Sequence, residues 1–211
     1  MSKDIEVELK FQVLDESEIR KFIKNLKFIT RKRIVDKYLD TENADLYKKG
    51  LFIRIRDDKT LDFKYNLEDT ECKHEHCEEH SFLLPLTLDS LDSVNKIFKV
   101  LNLNTVTNPS IDEIMNRNEF IVSITNDKTR EIYRDEKFEF CIDDIENLGK
   151  FIEIEIHAAK EDNLEEIKTL MRERVRGLKL KLITTGYNEL YWKRHDPEIY
   201  KQGKYHLEED R

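Results

Sequence analysis

No stretch of the chain approaches the roughly 20 consecutive apolar residues that a membrane-spanning helix needs, which argues against a helical membrane protein. Cysteine is scarce. Cys72, Cys77 and Cys141 cannot all pair within one chain, so a reducing compartment fits better than a disulfide scaffold. The opening Met1-Ser2-Lys3-Asp4-Ile5 offers no signal-peptide core, and the expected location is the cytoplasm. Positive charge is in deficit: the net charge is -8, which disfavours a broad nucleic-acid surface or an anionic membrane as partner. No shift in composition marks a domain boundary. Residues 1–211 are therefore read as a single domain, with 194–211 as a C-terminal extension. A homodimer is left open. The hydrophobic fraction is 38% and the charged fraction 39%, so apolar residues must be placed efficiently for the chain to fold.

They are placed with strict periodicity. Ile5-Glu6-Val7-Glu8-Leu9-Lys10-Phe11 alternates apolar and charged residues, so a strand turns Glu6, Glu8 and Lys10 to one face and the apolar residues to the other. Phe151-Ile152-Glu153-Ile154-Glu155-Ile156-His157 repeats the device near the other end. Between them, strands are expected at 30–41, 51–56, 61–65, about 76–84, 119–125, 130–133 and 137–142, with a tight turn at 57–60. Helical spacing predicts a helix after Asp15 or Ser17 carrying Ile19, Phe22, Ile23 and Leu26. A second, capped by Ser90, carries Leu91, Val94, Ile97, Phe98 and Leu101; a third spans about 164–176 and stops at Gly177. Residues 103–118 read as a loop with partial order, and 187–211 as a short helix with an extended end. This α+β layout predicts a closed eight-stranded antiparallel β-barrel, a tunnel, with helices packed outside and the charged faces turned inward.

The charged faces carry the chemistry. Arg54 and Arg56 share a face, as do Asp62 and Lys64, Lys128 and Arg130, Cys141 and Asp143, and Glu153 and Glu155. Guanidinium groups grip phosphate oxygens in bidentate fashion and lysines neutralise them, while hard divalent cations take carboxylate oxygens. Together these make the inventory of a metal–triphosphate site. The plain alternative is an open sheet with cross-strand ion pairs; recurrence on strand after strand favours a built site. Cys72, His74, His76, Cys77 and His80 invite a zinc reading, but no CxxC pair or distant second half supports it. Phe52 shares the face of Arg54 and Arg56, where it serves as a stacking or a rim residue. Tyr187 and Trp192 read as packing residues, Lys193 as an exposed helix lysine, and His157 as the end of its strand.

These segments resemble the CYTH superfamily of triphosphate tunnel metalloenzymes, which groups class IV adenylyl cyclases, thiamine triphosphatases and inorganic triphosphatases. The Glu-x-Glu-x-Lys signature reads Glu6-Val7-Glu8-Leu9-Lys10. Also typical are Asp36-Lys37-Tyr38-Leu39-Asp40-Thr41, Gly50-Leu51-Phe52-Ile53-Arg54-Ile55-Arg56, Lys128-Thr129-Arg130-Glu131-Ile132-Tyr133 and the block from Ile142 through Gly149 to Glu155. The resemblance runs from residue 5 to about 193. It implies that Lys10, Arg54, Arg56, Lys64, Lys128 and Arg130 grip the triphosphate. It implies that Glu6, Glu8, Asp143, Glu153 and Glu155 hold Mg²⁺ or Mn²⁺, with Glu6, Glu8, Lys10 and Glu155 catalytic. Two departures stand out: Lys64-Tyr65-Asn66 replaces a Lys-Gly-Pro-like turn, and Cys77-Glu78-Glu79-His80 stands where an Arg-x-Glu or Arg-Glu-Glu pattern is common. Alternation alone leaves open whether Glu78 or Glu79 faces inward.

The expected activity is metal-dependent hydrolysis of a small triphosphate, inorganic tripolyphosphate or an organic one. The alternative is a class IV adenylyl cyclase making cyclic AMP and pyrophosphate from ATP, which needs a base-reading element that the sequence does not display. A non-catalytic polyphosphate-binding module is disfavoured, because binding alone needs the bases and not so many carboxylates.

Overall fold

The computed structural model describes residues 5–68, 77–159 and 162–210. Its strands are β1 (Ile5–Val13), β2 (Lys27–Asp40), β3 (Phe52–Arg56), β4 (Thr60–Tyr65), β5 (Glu78–Leu83), β6 (Ile121–Arg134), β7 (Glu139–Ile145), β8 (Gly149–Ala158) and β9 (Leu180–Ile183). Its helices are α1 (Glu16–Ile23), α2 (Asp45–Lys48), α3 (Leu88–Val100), α4 (Ile111–Asn118), α5 (Leu164–Arg174), α6 (Tyr187–His195) and α7 (Pro197–Gln202). No helix among the described residues is long and apolar enough to cross a membrane.

The chain divides into two compact units: Met1–Ile34 with Asp127–Thr184, and Val35–Asn126 with Thr185–Arg211. In the first, the apolar sides of β1, β7 and β8 (Val7, Leu9, Phe11, Phe140, Ile152, Ile154) form one core with Ile19 of α1 and Met171 of α5. α1 starts where the sequence indicates: the Asp15 carboxylate accepts from the Ser17 amide at 3.0 Å, and Arg20 and Lys21 close the last turn. In the second unit, Ile53, Leu61 and Phe63 of β3 and β4 are buried with Val94 and Phe98 of α3 and Ile114 of α4. Each such side chain contributes about 1.5–3 kcal/mol. The N-cap of α3 is Thr87, three residues earlier than expected; Ser90 is its partner in a reciprocal capping box. A smaller cluster joins Tyr38, Tyr47, Phe52 and Ile124 to Tyr205 near the C-terminus. Gly50, at φ +68°, is required there, because a Cβ would stand 2.5 Å from the Tyr205 ring.

The expected closed eight-stranded barrel is corrected. Nine strands form one sheet in the order β5-β4-β3-β2-β6-β7-β8-β1-β9, which ends at β5 and β9 and does not close. Alternation assigns each strand a charged and an apolar face, but the same period serves an open helix-backed sheet and a barrel equally well. Three further differences have local causes. The two strands expected at 119–125 and 130–133 are one, β6. The strand continues through Asn126-Asp127, where the Asp127 carboxylate takes the Arg33 guanidinium and its carbonyl accepts from the Glu146 amide at 3.0 Å. The presumed loop at 103–118 contains α4, too short for a strong helical period and fixed by Asn118, whose amide donates to the Ile114 and Asn104 carbonyls at 3.1 Å. The short β9 was not expected at all; it pairs with β1 through Lys10↔Ile183 to Val13↔Leu180.

Candidate functional site

In the first unit, register stacks the charged face into rows. Arg130 of β6 stands opposite Asp143 of β7; Cys141 opposite Glu153 of β8, itself opposite Lys10 of β1; Glu139 opposite Glu155, itself opposite Glu8. Asp143 is fully buried, and Lys128 and Glu153 are each 4% exposed. Such burial is tolerable only because the charges are paired. Lys128 Nζ lies 2.8 Å from Asp143 Oδ2, and the Arg130 fork holds the same carboxylate through Nε and Nη2 at 2.6 Å each. Arg130 also donates to Glu153 and stands 3.8 Å from Glu155. Lys10 Nζ sits between Glu153 at 3.2 Å and Glu8 at 3.3 Å.

Burial works against the charge on Lys10, but Glu8 and Glu153 outweigh it and raise its pKa above the ordinary lysine range. Burial pulls Lys128 below that range; Asp143 opposes this and Arg130 adds to it. For Arg130 the attraction of Asp143 and Glu153 overrides desolvation, and it stays a cation. Lys10, Arg130 and Lys128 are thus the bases of this face, the first two with their charge reinforced by the neighbouring carboxylates.

Glu8, Glu153 and Glu155 each offer a carboxylate oxygen, and these lie within 4.8 Å of one another. An all-oxygen, all-anionic donor set is the kind that Mg²⁺ or Mn²⁺ takes. A second group, Glu139, Cys141 and Glu155, meets the same distance limit with a thiol among its donors.

The second unit carries its own charged face. Arg56 grips Asp36 with Nε–Oδ1 2.7 Å and Nη2–Oδ2 3.0 Å, and Arg54 Nε reaches Asp62 Oδ2 at 3.0 Å. Asp62 also accepts from the Ser81 hydroxyl at 2.6 Å, and Lys64 pairs with Glu79 at 2.8 Å. Glu79 is therefore on the charged face, opposite Lys64, while Glu78 stands opposite the core residue Tyr65. Burial acts against Arg54 as well, yet Tyr38, Asp36 and Asp62 raise its pKa.

Of the residues singled out from sequence, Glu8, Lys10, Lys128, Arg130, Asp143, Glu153 and Glu155 share one face of the first unit. Arg54, Arg56 and Lys64 share one face of the second. Glu6 takes its place in β1 opposite His157, with its side chain outside the described part. Asp143 holds two bases, whereas the grouped oxygens belong to Glu8, Glu153 and Glu155. Sequence reasoning gave no role to Asp36 or Glu139, and placed Cys141 on the charged face beside Asp143 without assigning it one. The available signal was cross-strand position: Asp36 lies opposite Arg56, and Glu139 and Cys141 alternate with the apolar Phe140. Phe52 is buried, stacked 6.2 Å from Tyr205. Trp192 packs against Tyr47, Lys193 pairs with Asp210 at 2.6 Å, and His157 is exposed. Cys72, His74 and His76 of the zinc reading lie outside the described residues; His80 stacks on Tyr65.

The family model described as CYTH domain matches residues 4–187. A Methanocaldococcus jannaschii protein named "Putative adenylate cyclase MJ0240" is 25% identical over 191 residues, covering 88% of this chain and 98% of its own. Among solved structures, the PH1819 protein of Pyrococcus horikoshii OT3 aligns with a TM-score of 0.61 at 24% identity, covering 90% of this chain and 100% of that one. HpAC1 from Hippeastrum, described as a "Putative adenylyl cyclase" with a dominant triphosphatase activity, aligns with a TM-score of 0.59 at 19% identity, covering 92% and 98%. Likenesses at these identities speak for the fold.

Proposed function

Since the chain belongs to the CYTH domain family, we propose that it is a divalent-metal-dependent hydrolase of a small triphosphate. The observation that carries the reading is the group of Glu8, Glu153 and Glu155 oxygens within 4.8 Å, bordered by the cations Lys10 and Arg130. The donor set suits Mg²⁺ or Mn²⁺, and these three carboxylates would hold the ion. When bound, such an ion neutralises phosphate oxygens and favours attack at phosphorus.

The chain's own residues do the rest. Arg130 and Lys10 bind phosphoryl oxygens and stabilise the charge that develops as the anhydride bond breaks. In the second unit, Arg54, Arg56 and Lys64 have the same chemistry toward phosphoryl oxygens. The acids opposite them have a positioning role: a guanidinium clamped by Asp36 or Asp143 keeps one orientation, so less side-chain entropy is lost when phosphate arrives. We assign the orienting of the attacking water to Glu8, whose side chain at 38% exposed is open to solvent.

A second reading, cyclisation of ATP to cyclic AMP, is favoured by the name of the 25%-identical relative. One assay separates them. The protein is incubated with tripolyphosphate or ATP in Mg²⁺ or Mn²⁺, and phosphate, pyrophosphate and cyclic AMP are measured. Phosphate released from tripolyphosphate, which has no hydroxyl able to cyclise, supports hydrolysis. Cyclic AMP and pyrophosphate from ATP, with tripolyphosphate left intact, would replace that reading with the cyclase.

A further inference from the structure

Cys141 is out of place for an ordinary packing cysteine. It is 1% exposed and buried, yet it stands on the charged face of β7 and not on the apolar side with Phe140 and Ile142. Its thiol is free and makes no hydrogen bond among the described residues. Burial above all, and the Glu155, Glu153 and Asp143 carboxylates, push the thiol up, with Arg130 opposing them, so only an ion bound directly to the sulfur would draw off its proton. Its Sγ lies within 4.8 Å of a carboxylate oxygen from both Glu139 and Glu155, and those oxygens are equally close to each other. Three ligand atoms bound at about 2.0–2.3 Å to one ion stand roughly 3.3–4.0 Å apart, so side-chain rotations that draw these atoms together by about an ångström close the set.

We propose that Glu139, Cys141 and Glu155 form a second cation site, selective for a thiophilic divalent ion of the Zn²⁺ or Cd²⁺ type. The hard ions that carboxylates alone attract gain nothing from sulfur, whereas soft ions bind thiolate by preference. As the sulfur–metal bond forms, the thiol proton leaves to solvent, so the ion exchanges for one proton at Cys141. Arg134, now 2.5 Å from Glu139 with its side chain 58% exposed, must give up that carboxylate, a small loss for a solvent-screened pair. Arg130, 3.8 Å from Glu155, remains to offset the excess negative charge of two carboxylates and a thiolate. Glu155 belongs to both this set and the Glu8–Glu153–Glu155 group. A soft ion at the second site therefore withdraws a ligand from the first and inhibits; this consequence alone rests on the proposed hydrolase.

The test titrates the full chain with Cd²⁺ alone and follows the thiolate-to-cadmium charge-transfer absorption. The expected result is saturation at a single equivalent, loss of the band in Cys141→Ser, and retention in Cys72→Ser and Cys77→Ser. Glu139→Gln should weaken Cd²⁺ binding by at least about tenfold; this variant decides the matter if Cys141→Ser does not fold. A band that survives Cys141→Ser, or an affinity unmoved by Glu139→Gln, overturns the site and assigns cadmium to the cysteine–histidine segment instead. Sharing is read separately by electron paramagnetic resonance of Mn²⁺. Cadmium should release bound Mn²⁺, and coexistence of both ions at full occupancy would refute a common ligand. If Mn²⁺ does not bind at all, the hydrolase reading fails while the charge-transfer band still decides the thiolate site.

Discussion

On the charged face of the second unit bases and acids alternate in matched number: Arg56 holds Asp36, Arg54 holds Asp62 and lies 3.8 Å from Asp36, and Lys64 holds Glu79. The first unit is built from the same alternating strands, but its carboxylates crowd together. Glu8, Glu153 and Glu155 converge beside Lys10 and Arg130, and Glu139 adds a further acid. Two carboxylates 4.8 Å apart repel by about 3 kcal/mol at an effective dielectric of about 20, less for Glu8, which is more exposed to solvent. A balanced face is stable as it stands. An acid-rich one calls for a cation, and this contrast places the proposed metal holding on the first unit's face.

The contrast can be tested at three strengths, with a fourth measurement as a reference outside both faces. The largest effect should come from Glu155→Gln, which removes a ligand from the acid-rich face. We expect turnover to fall by more than about 100-fold, beyond the cost of losing an outer-shell partner, with the fold retained. Chelation should stop the wild type and added Mg²⁺ or Mn²⁺ restore it. Near-normal kcat for the variant at saturating metal would place the metal elsewhere.

Asp143→Asn comes next. It strips the carboxylate from buried Lys128 and from Arg130, and should cost about 3–5 kcal/mol in urea denaturation. Asp36→Asn is its counterpart in the second unit. It should cost less, because Arg56, with its side chain 35% exposed, can hydrate. Equal losses would mean that the two faces are buried alike in their energetics.

Arg56→Ala should act on binding, raising KM for tripolyphosphate by the about 1.5–3 kcal/mol of a lost charge-assisted bond. Lys128→Ala should do the same and also lower stability, since it leaves Asp143 with one base fewer. Unchanged KM in both would remove the bases from the site.

The smallest effect is set by pH, away from both charged faces. Asp15, held by Ser17 and by Lys179 at 3.1 Å, has a carboxyl depressed to about 2. A pKa depressed in the folded state stabilises above the unfolded value near 3.8 and loses that contribution as pH falls through about 2. The wild type should therefore lose urea resistance between those limits more steeply than Asp15→Asn. Parallel curves would remove the capping role.

Alternation in 5–13, 51–56, 61–65 and 151–157 was enough to name the strands and their charged residues, because period two binds each side chain to a face. The helices α1, α3 and α5 were equally legible from their apolar stripes. Other features were not. Glu78 and Glu79 differ by one residue, and only the pairing of Lys64 with Glu79 says which one joins the bases. Closure was misjudged because a sheet edge leaves no mark on the alternation of the strands within it, and β9 is too short to announce itself.

The sequence by itself therefore determined the inventory: which side chains are charged, which strand carries each, and which face each takes, since covalent geometry fixes these locally. The tertiary structure decided the neighbours. Register joined Glu8 to Glu155, set Cys141 against Glu153, and set Asp143 against Arg130. Pairing between strands far apart in the chain depends on how their cores pack, and no local pattern contains it.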